Sequence, residues 1–205
     1  SDVSDRSAWI TALRDQDAVV HLAAETGTGQ SMYEVARYER TNLQGTALLM
    51  DLLTNGQYPS IRRLIVASSR AIYGEGAYTC ETHGLVFPPA RSSVAMQSGV
   101  FESLCPQCNR VCQPVPTPES APFQPSSFYG LTKQVQEQMC LLFGRVLDIP
   151  TFALRYQNVY GPGQTQKNPY TGILAIFTNL AKLGEPIRIF EDGKESRDFV
   201  YIYDV

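Results

Sequence analysis

Three short runs of apolar, largely β-branched residues frame the chain. They are Asp17-Ala18-Val19-Val20-His21-Leu22-Ala23-Ala24, Arg63-Leu64-Ile65-Val66-Ala67-Ser68-Ser69 and Thr151-Phe152-Ala153-Leu154-Arg155-Tyr156. Each is too continuously apolar for a strand with one wet face, so each reads as a buried strand of a parallel sheet. Parallel strands need crossovers, and helical stretches stand between them, one over about 32–53 and one starting at Tyr129. In the second, Leu131, Val135, Met139, Leu142 and Val146 recur at helical spacing before Asp148-Ile149-Pro150. Strand, helix, strand, helix, strand is an α/β pattern: a doubly wound parallel sheet with right-handed crossovers. The opening Ser1-Asp2-Val3 reads as a strand end, followed by a helix that Asp5 or Ser7 can cap. Beyond the third strand come the loop from Gln157 to Gln164, a helix over Ile173 to Leu183 and a strand over Ile187 to Phe190.

Composition narrows what such a sheet can serve. The 205 residues are 43% hydrophobic and 18% charged with a net charge of −3, which supports one sizeable core and gives no basic patch for nucleic acid. No apolar run approaches the ~18 residues of a membrane span. Five unevenly spaced cysteines suit a reducing compartment, so the expectation is a cytoplasmic protein. Four of them, Cys80, Cys105, Cys108 and Cys112, fall in a Pro-, Gly- and Ser-rich insertion at about 77–121, where the α/β pattern lapses. Cys80-x-x-His83 and Cys105-x-x-Cys108 have the spacing of two zinc knuckles, with Cys112 as a spare or competing ligand. A Cys₃His set would suit structural zinc and would order a core-poor loop. Free thiols on a flexible loop are the alternative.

Tyr129 and Lys133 lie four apart at the start of the long helix and therefore share a face. A cation beside a phenol favours the phenolate, giving a base that can take a proton from an alcohol near neutral pH. By itself the pair is equally well a core-edge tyrosine and a solvated lysine.

The ordered set of motifs is more specific. His21-Leu22-Ala23-Ala24, Asn42 before Gly45-Thr46, Ser68-Ser69 before Ile72-Tyr73-Gly74, Tyr129 with Lys133, Leu154-Arg155-Tyr156-Gln157-Asn158-Val159-Tyr160-Gly161-Pro162 and Arg197-Asp198-Phe199-Val200 span nearly all of the chain. With them the chain resembles the extended short-chain dehydrogenase/reductase family, and within it the nucleotide-sugar epimerases. The insertion and the segment from Thr26 to Glu34 are most similar to the dTDP-L-rhamnose 4-epimerase-like group.

The resemblance implies a Rossmann-like fold, incomplete at both ends. It lacks the N-terminal Gly-rich βα units, about two of ~30 residues each, and most of the C-terminal substrate region. Residues 1–164 would form a partial dinucleotide-binding domain and 165–205 the start of the substrate-binding region. The resemblance further implies NAD as cofactor, a dTDP- or UDP-linked sugar as substrate and a homodimer paired through the tyrosine-bearing helix. The fragment alone is expected to bind NAD weakly and to be inactive.

Carried over by position, the family makes Tyr129 the acid and base, Lys133 its partner and the ribose ligand, and Ser69 the hydroxyl that binds the reacting sugar hydroxyl and relays its proton. Asp2, Val3, Leu22, Ala23, Ala24 and Asn42 would line the cofactor. Gln157 departs from the aromatic or small residue that some relatives place beside the nicotinamide. Asn158 and Arg197 would contact the diphosphate. Family dehydratases carry Asp-Glu where Arg70 and Ala71 stand, so oxidation and reduction at the sugar 4-position is the expected chemistry. The alternatives are an NADPH-dependent 4-ketosugar reductase and a non-catalytic dinucleotide-binding relative.

Overall fold

The computed structural model describes residues 2–56, 58–165 and 172–205; Ser1 of the expected strand end lies outside them. In chain order the elements are α1 (Arg6–Leu13), β1 (Ala18–His21), α2 (Thr28–Ser31), α3 (Val35–Tyr38), a π-helical segment (Glu39–Gln44) and α4 (Gly45–Asn55). Then follow β2 (Arg63–Ser69), a 3₁₀ turn (Arg70–Tyr73), β3 (Tyr78–Cys80), β4 (Gly84–Val86), α5 (Ser93–Gln97) and β5 (Gln113–Pro114). The remainder is α6 (Phe128–Val146), β6 (Thr151–Tyr156), β7 (Asn158–Tyr160), α7 (Ile173–Leu183), β8 (Phe199–Tyr201) and a closing 3₁₀ turn (Ile202–Asp204). They fall into two compact units, Ser1–Ala71 with Ser127–Tyr156, and Ile72–Ser126 with Gln157–Val205.

The first unit is built on a parallel sheet in the order β1-β2-β6, with Val20 paired to Ile65 and Ile65 to Phe152. Alternation sends Val19, Leu64 and Val66 into a core with Trp9 and Leu13 of α1, Leu49, Met50, Leu52 and Leu53 of α4 and Cys140 of α6. Asp5 caps α1 by accepting the Ser7 N–H at 2.9 Å. On the opposite sheet face Val20, Leu22, Phe152 and Leu154 are exposed. The strands thus carry the sequence of a sheet buried on both sides, while α1, α4 and α6 pack on one. This is an incomplete doubly wound, Rossmann-like α/β arrangement.

Two expectations about helices change. The single helix over 32–53 is interrupted at Glu39–Gln44, where the backbone widens to a π-helix. Asn42 sits in this segment and its side chain binds the Glu25 backbone and Thr132, a tertiary demand that local propensity does not register. In α6 the apolar stripe that identifies the helix faces the core only in part: Met139 packs against it, while the fully buried face lies further round the helix. Leu131, Leu142 and Val146 are 42%, 49% and 66% exposed, whereas Thr132, Lys133, Gln136, Glu137, Cys140 and Gly144 are buried. Gly144 permits the close approach, because a Cβ there would collide with Thr151 Oγ1.

The second unit contains an antiparallel sheet, β4-β3-β5, formed within the insertion, and a parallel pair, β7 with β8. Ile72, Tyr73 and Ala121 pack with Phe87 and Phe123. The expected strand over Ile187 to Phe190 has no regular structure, and Ile189 and Phe190 are exposed. A strand needs a partner to satisfy its backbone, and among the described residues none pairs with this stretch.

Candidate active site

Ser69 ends β2 and Tyr129 opens α6, and both belong to the first unit. The start of α6 is fixed twice. Ser127 Oγ accepts the Gly130 N–H at 3.1 Å, and Ser31 Oγ accepts the Tyr129 N–H at 2.9 Å while donating to the Thr28 carbonyl at 2.7 Å. Two amides that a helix start leaves without partners are thereby satisfied, and the tyrosine backbone is held in place. Its ring meets Tyr38 edge to face with centroids 6.5 Å apart.

The Ser69 side chain lies near enough to the Tyr129 phenol to lower its pKa. Ser69 Oγ accepts the Ala71 N–H at 3.1 Å. Burial pushes the phenol pKa above its ordinary value, and the Ser69 side chain and the Arg70 charge pull against it. The Arg70 charge thus favours the phenolate.

Lys133 is buried, and its Nζ donates to Gln136 Oε1 at 2.7 Å. Burial lowers its pKa to about 8. Because an ammonium only donates, the Gln136 amide is oriented with oxygen toward Lys133, and its Nε2 donates to Thr46 Oγ1 at 2.8 Å. Thr46 is itself tied to the Asn42 carbonyl at 2.7 Å and to His21 Nε2 at 2.9 Å. Burial holds the His21 pKa near 4, with the Lys133 charge adding to the effect, so this imidazole is neutral.

Asn42 is fully buried. Its Oδ1 accepts the Glu25 N–H at 2.8 Å, and its Nδ2 donates to the Glu25 carbonyl and to Thr132 Oγ1, which donates to the Tyr129 carbonyl. Asn42 thus joins the loop after β1 to the first turn of α6. Leu22 is bare at the carboxyl end of β1, with Ala23 and Ala24 half-buried behind it. Asp2 is exposed and accepts the Ser4 N–H at 2.8 Å, and the Val3 carbonyl accepts the Trp9 indole N–H at 2.7 Å. At the end of β2, the Ser68 hydroxyl is buried with no hydrogen-bond partner among the described residues.

The other expected site residues lie in the second unit. Gln157 is half-buried, Asn158 donates its N–H to the Asp198 carbonyl at 3.1 Å, and Arg197 pairs with Glu195 at 3.0 Å. Cys80, His83, Cys105 and Cys108 come together, all four ligand atoms lying within 4.8 Å of one another.

Sequence reasoning missed the groups that support these residues. Gln136 and Thr46 hold Lys133, Thr132 links Asn42 to Tyr129, and Glu137 is buried against Arg155 at 2.7 Å. Helical arithmetic could have found most of them, since 129, 132, 133, 136, 137 and 140 share one face of α6.

Comparison with known proteins follows the same lines. Residues 1–110 and 105–205 match the NAD dependent epimerase/dehydratase family. The chain is 38% identical to a dTDP-L-rhamnose 4-epimerase of Burkholderia thailandensis, over 100% of this chain and 55% of that protein. Among solved structures, a UDP-glucose 4-epimerase of Thermotoga maritima with UDP-glucose superposes with a TM-score of 0.73 at 30% identity, covering 100% of this chain and 54% of that one. MoeE5 in complex with UDP-glucose and NAD gives 0.70 at 26% identity, covering 100% and 54%. The chain spans about half the length of the relatives it matches.

Proposed function

The chain belongs to the NAD dependent epimerase/dehydratase family, and on that premise we propose that the intact protein is a nucleotide-sugar 4-epimerase acting on a dTDP- or UDP-linked sugar. The observation that carries this reading is the Ser69–Tyr129 hydroxyl pair at the carboxyl end of a parallel sheet, where open α/β folds bind ligands. Ser69 binds the sugar 4-hydroxyl and Tyr129 takes its proton, then returns it after the sugar has passed through a 4-keto form. Arg70 supplies positive charge beside the phenol as its negative charge develops. Ala71, next along, brings no acid or base, which favours simple oxidation and return over water elimination.

The residues of the first unit fit a dinucleotide. Bare Leu22 with small Ala23 and Ala24 offers an apolar edge, the Ser68 hydroxyl is unpartnered among the described residues, and Lys133 spends one of its three donors on Gln136. Lys133 would hold ribose hydroxyls, and Asp2, Val3 and Asn42 would shape the rest. NAD, when bound, accepts a hydride from the sugar and returns it. Asn158 and Arg197 would hold the diphosphate, for which a guanidinium is suited. The exposed Leu131, Leu142 and Val146 stripe of α6 supports pairing with a second copy, which Leu142→Glu should disrupt in a light-scattering measurement.

The test is to incubate the intact protein with NAD⁺ and UDP- or dTDP-sugars and follow the 4-configuration by NMR. Epimerisation without net cofactor consumption supports the reading. Stoichiometric NADPH oxidation with one reduced product would replace it with a 4-ketosugar reductase, and no turnover of any sugar would leave a non-catalytic relative.

A further inference from the structure

The Cys/His cluster of the insertion lies outside everything used above, and its geometry can be compared with coordination chemistry. Cys80 ends β3, His83 lies in the turn to β4, and Gly84 at φ +67° completes that turn. Cys105 and Cys108 bracket a second tight turn. There Cys105 donates its N–H to the Arg110 carbonyl at 2.8 Å, and Asn109, at φ +55°, donates its N–H to the Cys105 carbonyl at 2.9 Å. An isolated bridge between Leu104 and Val111 closes this turn.

The distances discriminate between a metal site and a disulfide. Cys80 Sγ lies 3.7 Å from Cys108 Sγ and 3.7 Å from His83 Nδ1, and Cys105 Sγ lies 3.4 Å from the same nitrogen. A tetrahedron with Zn–S near 2.3 Å and Zn–N near 2.05 Å has S–S edges of about 3.8 Å and S–N edges of about 3.6 Å. A disulfide needs its sulfurs at about 2.05 Å. Cys112 is buried alongside but stands outside the four; its Sγ lies 3.6 Å from the Arg110 carbonyl.

We propose that Cys80, His83, Cys105 and Cys108 bind one zinc ion as a closed, structural Cys₃His site that orders the insertion. Four protein ligands leave no open position for substrate or water, so the metal takes no part in turnover. The insertion also has little else to hold it. Its buried cluster is Cys80, Val86, Cys105 and Cys112 with Tyr78 and Cys108 against it, so half of this small core is ligand. The proposal does not rest on the epimerase reading, and the two can fail separately.

The experiment is elemental analysis of the purified intact protein after dialysis against a chelator, with cobalt substitution of the same sample. One zinc per chain is expected, together with a thiolate-to-cobalt charge-transfer band and the intense visible bands of tetrahedral Co²⁺. Cys105→Ser should weaken zinc retention by at least about tenfold, while Cys112→Ser keeps the full complement. Should Cys105→Ser fail to fold, the wild-type cobalt spectrum decides alone. Absence of zinc, iron in its place, a cobalt spectrum without thiolate ligation, or loss of metal in Cys112→Ser with retention in Cys105→Ser would each overturn the assignment.

Discussion

Lys133→Met should raise stability while removing activity. Lys133 is 2% exposed, and burial brings its pKa from 10.5 to about 8. At 1.36 kcal/mol per unit, holding the protonated form in that site costs about 3 kcal/mol at neutral pH. A group whose folded pKa is depressed in this way carries no penalty above pH 10.5; the penalty grows as pH falls and is complete below about 8. Methionine removes it but strands Gln136 Oε1, the acceptor at 2.7 Å, at a cost of about 1–3 kcal/mol. The net is a gain of roughly 0–2 kcal/mol at pH 7. Above about pH 10 the gain should turn into a loss, since only the stranded amide then counts. Urea denaturation of both proteins at pH 7, 8, 9 and 10 measures the difference. A loss of more than about 1 kcal/mol at pH 7, or a difference that does not vary with pH, would refute the reasoning. The lysine would then not be a charge carried at a cost in stability for what it does in the site.

Tyr129→Phe in the intact protein should lower turnover by about 10²–10⁴-fold with an unchanged circular dichroism spectrum; unfolding would make the phenol a packing group. His21 is neutral because burial brings its pKa from 6.5 to about 4, so the stability it contributes is present above pH 6.5 and lost as pH falls toward 4. His21→Gln should flatten that part of the acid denaturation profile, and an unaltered profile would clear His21 of the effect. Glu137→Leu takes a buried carboxylate from the Arg155 guanidinium and should cost about 3–5 kcal/mol by the same urea method; a neutral result would mean the pair is replaceable by packing.

The three strands were legible because buried parallel strands require apolar, β-branched residues whatever surrounds them. The presence of α6 was legible too, from the residues that recur at helical spacing after Tyr129. The inward face of that helix was not. Periodicity assigns the interior to Leu131, Val135, Met139, Leu142 and Val146, of which Met139 packs on the core. Yet much of the packed side is polar because Lys133 and Gln136 bond to each other, Gln136 to Thr46, Thr132 to Asn42 and Glu137 to Arg155. The π-helical turn at Asn42 was hidden for a related reason, as its cause is a loop distant in sequence. In the site, Ser69 and Tyr129 were nameable from motif order and the structure joins them. The Gln136 contact of Lys133 was not nameable, because sharing a helical face does not say which neighbours a long flexible amine will meet.

The bare side of the parallel sheet has a practical consequence. Val20, Ile65 and Phe152 form a row across three strands, Val20 and Phe152 are open to water, and the outer edges of β1 and β6 meet no strand among the described residues. Such a surface recruits strands from neighbouring molecules. The 205-residue polypeptide should travel through a sizing column as a concentration-dependent series of aggregates, which charged substitutions at Val20 and Phe152 should reduce.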